Sequence, residues 1–302
     1  MTRTLCTAAL LSAFASAAHA DAPRVVADIA PIHSLTAQVM DGIATPDLIV
    51  PPGADAHHMA LRPSDARVIA GADVVIWVGP EMTPWLDEPL TALAPEAASL
   101  VLMRTPGWTP REVAADDDHG DGAHAGHHHA TDPHAWLDPE VAAIWVAAIR
   151  DTLTAADPDN AATYAANADR AIADLTRLRG TIAATLSGVP AGSWAAPHAA
   201  FGYFEDRFML ASAGAISDSD DIDPGPAHLA TLRDRVAGGE ITCVLSQTGA
   251  TTDYVTVLTE GTAARTGTID DTGIGLTPGP ALHAALLTGI AATLKDCIAP
   301  QG

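Results

Sequence analysis

Thirteen histidines against three cysteines set the chemistry to look for, because neutral imidazole is a common ligand for transition metals. Four candidate ligands share one kind of placement. His57 lies in a loop after a short apolar run at 47–50, and His198 lies just beyond a strand-like run at 193–196. Asp270 directly follows another such run at 264–269, and His134 sits between a Gly/Asp/His-rich segment and the next helical pattern. In parallel α/β sheets, ligands bind in the crevice beyond the carboxyl ends of the strands, so groups placed this way converge. Three imidazoles and one carboxylate suit zinc, which takes nitrogen and oxygen ligands tetrahedrally at roughly 2.0–2.2 Å. For each histidine taken singly, a solvated loop residue is the competing reading.

A second histidine system lies in residues 114–131, a stretch rich in Asp, Gly and His with no apolar periodicity. That composition predicts a disordered surface loop. Its His119, His124, His127, His128 and His129 form an auxiliary set. A flexible tether loses chain entropy on closing round an ion, which points to weak zinc collection and not to a tight cage. A merely solubilising loop is the alternative. His33 is a further accessory candidate, set against a plain helix-start histidine. His228 and His283 fall on helical patterns and read as structural or surface residues. Asp138 before Pro139 reads as a helix N-cap.

The elements that must carry these groups alternate between strand and helix. Strand-like runs at 24–29, 47–50 and 72–78 are separated by helical patterns at 33–40 and 63–70. The alternation restarts after residue 189, with a strand at 193–196, helical patterns at 198–208 and 227–236, strands at 241–245 and 264–269, and a closing helix at 281–298. This is an α/β pattern with mainly parallel sheets. Between the two halves, Tyr164, Ala168, Ile172, Leu175, Leu178, Ile182 and Leu186 recur at steps of three or four, one face of a long helix over 157–188. The expected organisation is a signal peptide at 1–20, a first α/β lobe at 21–156, a rigid joining helix at 157–188 and a second α/β lobe at 189–302.

Arg3, an apolar stretch at 8–17 and Ala18-His19-Ala20 fit a secretory signal cleaved after Ala20. Export removes Cys6 and leaves Cys243 and Cys297. Two cysteines in an oxidising compartment suggest one disulfide, with two buried thiols as the alternative. The balance of 37 acidic to 15 basic residues gives a net charge of −22, which argues against nucleic acid and anionic lipid as partners. No segment reaches the run of ~18 apolar residues needed for a membrane span. Neither a His-Glu-x-x-His helix nor a Gly-x-Ser-x-Gly elbow occurs, so a zinc hydrolase is the weaker reading and a non-enzyme is expected.

Several motifs in fixed order carry a family resemblance. They are Gly53-Ala-Asp-Ala-His57 with Ala60-Leu-Arg-Pro-Ser-Asp65, Val75-Ile-Trp-Val-Gly-Pro-Glu81, and the acidic His-rich insert before His134-Ala-Trp-Leu-Asp-Pro-Glu140. His198-Ala-Ala-Phe-Gly-Tyr-Phe204, Thr242-Cys-Val244 and Arg265-Thr-Gly-Thr-Ile-Asp270 complete the set. With these the chain resembles the periplasmic zinc-binding components of ABC transporters, among the cluster A-I metal-binding solute-binding proteins. The resemblance implies two α/β lobes on a long rigid helix, zinc held in the cleft, and delivery to a membrane permease by a monomeric periplasmic protein. It places His57, His134 and His198 on the family's three histidine ligands, Asp270 on a carboxylate that water replaces in some members, and Cys243 and Cys297 on a disulfide of the zinc branch. His198 stands where manganese-binding relatives commonly carry glutamate, which favours zinc. Manganese-binding and metallochaperone relatives on the same fold remain the alternatives. Two departures stand out. His58 follows His57 where some members have an acidic residue, so either is a candidate ligand. Val244-Leu-Ser-Gln-Thr-Gly249 replaces an acidic-proline sequence.

Overall fold

The computed structural model describes residues 22–113, 130–218 and 223–298. The first lobe runs β1 (Val25–Ala27), α1 (Ala30–Val39), β2 (Asp47–Leu48), α2 (Pro63–Ala70), β3 (Val74–Trp77), α3 (Asp87–Leu93) and β4 (Ala98–Val101). Its four strands pair in parallel in the order β2-β1-β3-β4. All residues of β1 and β3 are buried, as strands covered by helices on both faces require. A two-stranded antiparallel pair, β5 (Glu112–Val113) and β6 (Ala130–Thr131), follows. Next come α4 (Pro139–Ala156) and α5 (Ala161–Thr185). The second lobe consists of β7 (Trp194–His198), α6 (Gly202–Phe208), β8 (Ala215–Ser217), α7 (Pro226–Ala237), β9 (Cys243–Gln247), α8 (Asp253–Thr259), β10 (Arg265–Ile269) and α9 (Leu282–Ile298). Its strands are also parallel, in the order β10-β9-β7-β8. No helix among the described residues is long and apolar enough to cross a membrane.

Several boundaries move for physical reasons. Helix α1 starts at Ala30, because Pro31 occupies the first turn, where its missing N–H costs nothing. The long helix begins after a 3-10 turn at Pro158–Asn160, and α5 itself has 25 residues, about 37 Å. Its inward face buries Tyr164, Ala168, Leu175 and Ile182, and packs on α1, α4 and α9. Strand β7 continues through Pro197, so His198 is its last residue and not the start of a helix. Asp138 caps α4 by accepting from the Glu140 amide at 2.8 Å.

One hydrophobic core runs through both lobes, taking in Ile32 and Leu35 of α1, Trp136, Trp145, and Leu286 and Ile290 of α9. Cys243 on β9 is bonded to Cys297 on α9, which fastens the closing helix to the second sheet. Three hydrogen bonds and a forked ion pair join polar groups across the junction of the lobes. Ser34 donates to the Pro280 carbonyl at 3.1 Å and accepts from the His283 amide at 3.1 Å. His283 Nε2 bonds the Trp136 carbonyl at 2.8 Å, so it carries the ring proton. Arg207 of α6 forks onto both oxygens of Asp138 at 2.8 Å each.

His283 is wholly buried, and burial pushes its pKa down to about 4 despite the bond to Trp136. A histidine whose folded pKa is depressed contributes stability that is present above its unfolded value of about 6.5 and is lost as pH falls toward 4. A His283→Gln variant, which keeps a donor for the Trp136 carbonyl, is expected to lose roughly 2–4 kcal/mol less stability than the parent between pH 7 and pH 4. Urea melts across that range measure the difference, and parallel pH profiles would contradict it.

Candidate metal centre

The carboxyl ends of the strands of both sheets face one cleft of about 240 Å³, lined by Ile29, Pro51 to His57, Met82, His134, Gln247 to Ala250, Asp271, Thr272 and Ile274. His134, His198 and Asp271 each bring a ligand atom within 4.8 Å of the others, and all three are buried. Among the described residues this is the group of His, Cys, Asp and Glu side chains that could hold a metal ion. Asp271 Oδ2 lies 3.7 Å from His198 Nε2 and 4.0 Å from His134 Nε2. The rings of His134 and His198 are 5.8 Å apart between centroids, and the His57 ring is 6.3 Å from that of His134.

Each side chain arrives by a local device. His198 is delivered by the end of β7. His134 follows β6 by three residues, and its orientation is set by Asp132. That carboxylate is fully buried and accepts both the His134 amide at 3.0 Å and His134 Nδ1 at 2.8 Å. With Nδ1 protonated toward Asp132, the lone pair of His134 sits on Nε2, the nitrogen that faces Asp271. The Asp132 backbone carbonyl takes the Tyr203 hydroxyl at 3.1 Å, and Arg111 stands 3.7 Å from its free carboxylate oxygen. His57 lies in a loop organised by Asp55, whose Oδ1 accepts the His57 amide at 2.8 Å, and anchored by Trp85 Nε1 on the Ala56 carbonyl at 2.7 Å.

The carboxylate differs from the one expected. Asp270 uses its side chain on the backbone. Its Oδ1 accepts the amides of Thr272 at 3.1 Å and Gly273 at 2.7 Å, and its Oδ2 accepts that of Gly275 at 3.3 Å. Gly273 takes φ +87° inside this turn, and a Cβ there would meet Leu282 at 3.0 Å. Asp270 is therefore the turn-former, and Asp271 is the residue that enters the cleft. The pleat explains this: side chains alternate across a strand, and Ile269 at the end of β10 is buried, so two residues on the chain returns to the buried side. Trp136 Nε1 holds the Asp271 carbonyl at 2.7 Å, which fixes the second lobe's carboxylate beside the first lobe's His134. Burial raises the Asp271 pKa, but the imidazoles of His198 and His134 beside one oxygen and a hydrogen bond from Gln247 to the other outweigh it and hold the group at about 2.

The remaining candidates lie elsewhere. His58 is exposed, and its Nδ1 bonds Asp55 at 3.2 Å, so of the adjacent pair it is His57 that lines the cleft. His33 is buried in α1 with Nε2 on the Pro46 carbonyl at 2.9 Å, outside the cluster. His119, His124, His127, His128 and His129 fall outside the described residues. Sequence reasoning missed Asp132 and Gln247; the Asp-Pro-His spacing at 132–134 was the one signal for the former.

The family model for the periplasmic zinc-uptake complex component A matches residues 25–297. The chain belongs to this zinc-uptake component A family. The high-affinity zinc uptake system protein ZnuA of Paracoccus denitrificans is 36% identical over 96% of this chain and 96% of its own length. A crystal structure of ZnuA superposes with a TM-score of 0.80 at 21% identity, covering 92% of this chain and 100% of that one. A zinc-bound ZnuA lacking residues 138–173 of its own chain superposes at 0.78 and 21% identity, covering 93% and 100%. These two structures share the family's two-lobed α/β fold.

The two neighbouring aspartates make a direct comparison. Asp271→Ala is expected to weaken divalent-metal binding by about 10–100-fold or more, as loss of a group at the centre does. Asp270→Ala is expected to lower thermal stability by freeing three backbone donors, with affinity changed far less. Calorimetric metal titration and melting of both variants check this, and the reverse ranking of affinities would contradict it.

Proposed function

We propose that this family member captures one Zn²⁺ between its lobes, on His57, His134 Nε2, His198 Nε2 and Asp271 Oδ2, and hands it to the membrane permease of an ABC transporter. The observation that carries the reading is the buried convergence of His134, His198 and Asp271 from both lobes. Three imidazoles and one carboxylate form a nitrogen-rich set suited to zinc over manganese, which prefers more oxygen. His57 is the half-buried member on a loop, 6.3 Å between ring centroids from His134, so a modest movement of that loop closes the shell.

Zinc is the cargo in this reading, and the chain acts as a binding protein and not as an enzyme, as its membership of a zinc-uptake family supports. It acts as a monomer in the periplasm after removal of residues 1–20, and the loop histidines collect zinc weakly for the cleft. The names of its relatives and their high coverage support the transport role.

The mature protein is expected to bind one equivalent of zinc tightly. His134→Ala and His198→Ala should abolish tight binding, His57→Ala should weaken it strongly, and His58→Ala or deletion of 115–130 should leave the tight site in place. Competition titration against a chelating dye measures all five. Tight binding that survives in the cleft variants but disappears with the loop would contradict the proposal.

A further inference from the structure

Gln247 ends β9, is 8% exposed and lines the cleft. Its Nε2 donates to Asp271 Oδ1. The direction is forced: an ionised carboxylate only accepts, so the amide oxygen turned that way would set two acceptors against each other. The other oxygen of the same carboxylate, Oδ2, is the one that faces His198 Nε2 at 3.7 Å and His134 Nε2 at 4.0 Å. Asp271 is thus divided, one oxygen tied to an amide and one turned to the imidazoles. Gln247 Oε1 is buried with no hydrogen-bond partner among the described residues. Leaving such an acceptor unsatisfied costs about 1–3 kcal/mol, which a methionine or leucine in the same place would avoid. Packing therefore does not account for an amide here, whereas the bond to Asp271 does.

We propose that Gln247 is a positioning and specificity-determining residue, which holds Asp271 to one-oxygen coordination and so keeps the centre four-coordinate. The inference rests on the zinc-binding reading above. For bonds of roughly 2.0–2.2 Å, neighbouring ligand atoms stand roughly 3.3–3.6 Å apart in a tetrahedron and roughly 2.8–3.1 Å apart in an octahedron. The 3.7 and 4.0 Å separations around Oδ2 lie nearer the tetrahedral spacing. A carboxylate free to offer both oxygens would add a fifth ligand atom, which suits harder, oxygen-seeking cations such as Mn²⁺. With one lone pair of Oδ1 taken by the amide and the carboxylate held in that orientation, the second contact is disfavoured, and the cleft discriminates by coordination number as well as by ligand softness.

The test compares the mature parent with Gln247→Met, which keeps the length of the side chain, and Gln247→Leu. Zinc and manganese affinities are measured by competition, and the coordination number is read from the visible spectrum of the Co²⁺-loaded proteins. The parent is expected to give the intense spectrum of tetrahedral cobalt. Both variants should shift to the weaker spectrum of higher coordination, lose about 10–100-fold in zinc affinity and show a narrower preference for zinc over manganese. Three results would overturn the role of Gln247: a parent spectrum of five- or six-coordinate cobalt, variants that keep the tetrahedral spectrum, or variants that keep the parent's zinc-to-manganese ratio. A parent that binds no zinc would overturn the functional reading itself, whereas tight parental binding with unaltered variants would overturn only the role of Gln247.

Discussion

A carboxylate removed from water is costly unless charge and hydrogen bonds replace its hydration, and Asp271 is 2% exposed. The surroundings of the cleft answer that requirement from both lobes. Gln247 supplies a donor to one oxygen, and His134 and His198 stand beside the other. The backbone carbonyl of the same residue is held by the Trp136 indole. A divalent cation among these groups pairs with the buried negative charge of Asp271, and the carboxylate of Asp132 behind His134 adds a second. The fold therefore gathers a buried carboxylate and two imidazoles from both lobes at one point in the cleft.

Trp136 is the hinge of this arrangement in the sense of a fixed pin. It belongs to the segment that delivers His134, and its ring centroid is 5.2 Å from that of His134. It also makes two bonds to the second lobe, donating to the Asp271 carbonyl and accepting from His283. Trp136 shares one continuous core with α5 and α9, and the Cys243–Cys297 bond ties α9 to the strand that ends in Gln247. Large lobe opening would break these buried contacts together. Movement is cheaper at the His57 loop, which has fewer buried side chains and ends in a half-exposed imidazole.

The α/β alternation was legible in the sequence, as were the periodic face of α5 and the cap at Asp138, because each is encoded by local spacing or a short motif. His57 and His198 could be separated from the loop cluster because they followed strand-like runs, and His134 because it stood between that segment and the next helical pattern. Which carboxylate enters the cleft was not legible, because Asp270 and Asp271 are adjacent and chemically identical. What separates them is the parity of the pleat, with Ile269 inward, and the turn that ends at Gly273. Gln247 escaped for a different reason: its partner Asp271 lies 24 residues on, beyond the end of β10, a relation that only the folded chain displays, whereas Asp132 carried a local signal in its spacing to His134. Shorter elements such as β8 and α8 also escaped, since their three and seven residues hold too little periodicity to register.

The central claim concerns which atoms meet the ion, and anomalous diffraction at the zinc absorption edge from crystals of the zinc-loaded mature protein tests it most directly. The account predicts one strong cleft peak, roughly 2.0–2.2 Å from an imidazole nitrogen of His57, from Nε2 of His134 and His198, and from Asp271 Oδ2, with Asp271 Oδ1 still on Gln247. A peak bound by Asp270, or zinc held by loop histidines with the cleft unoccupied, would contradict it.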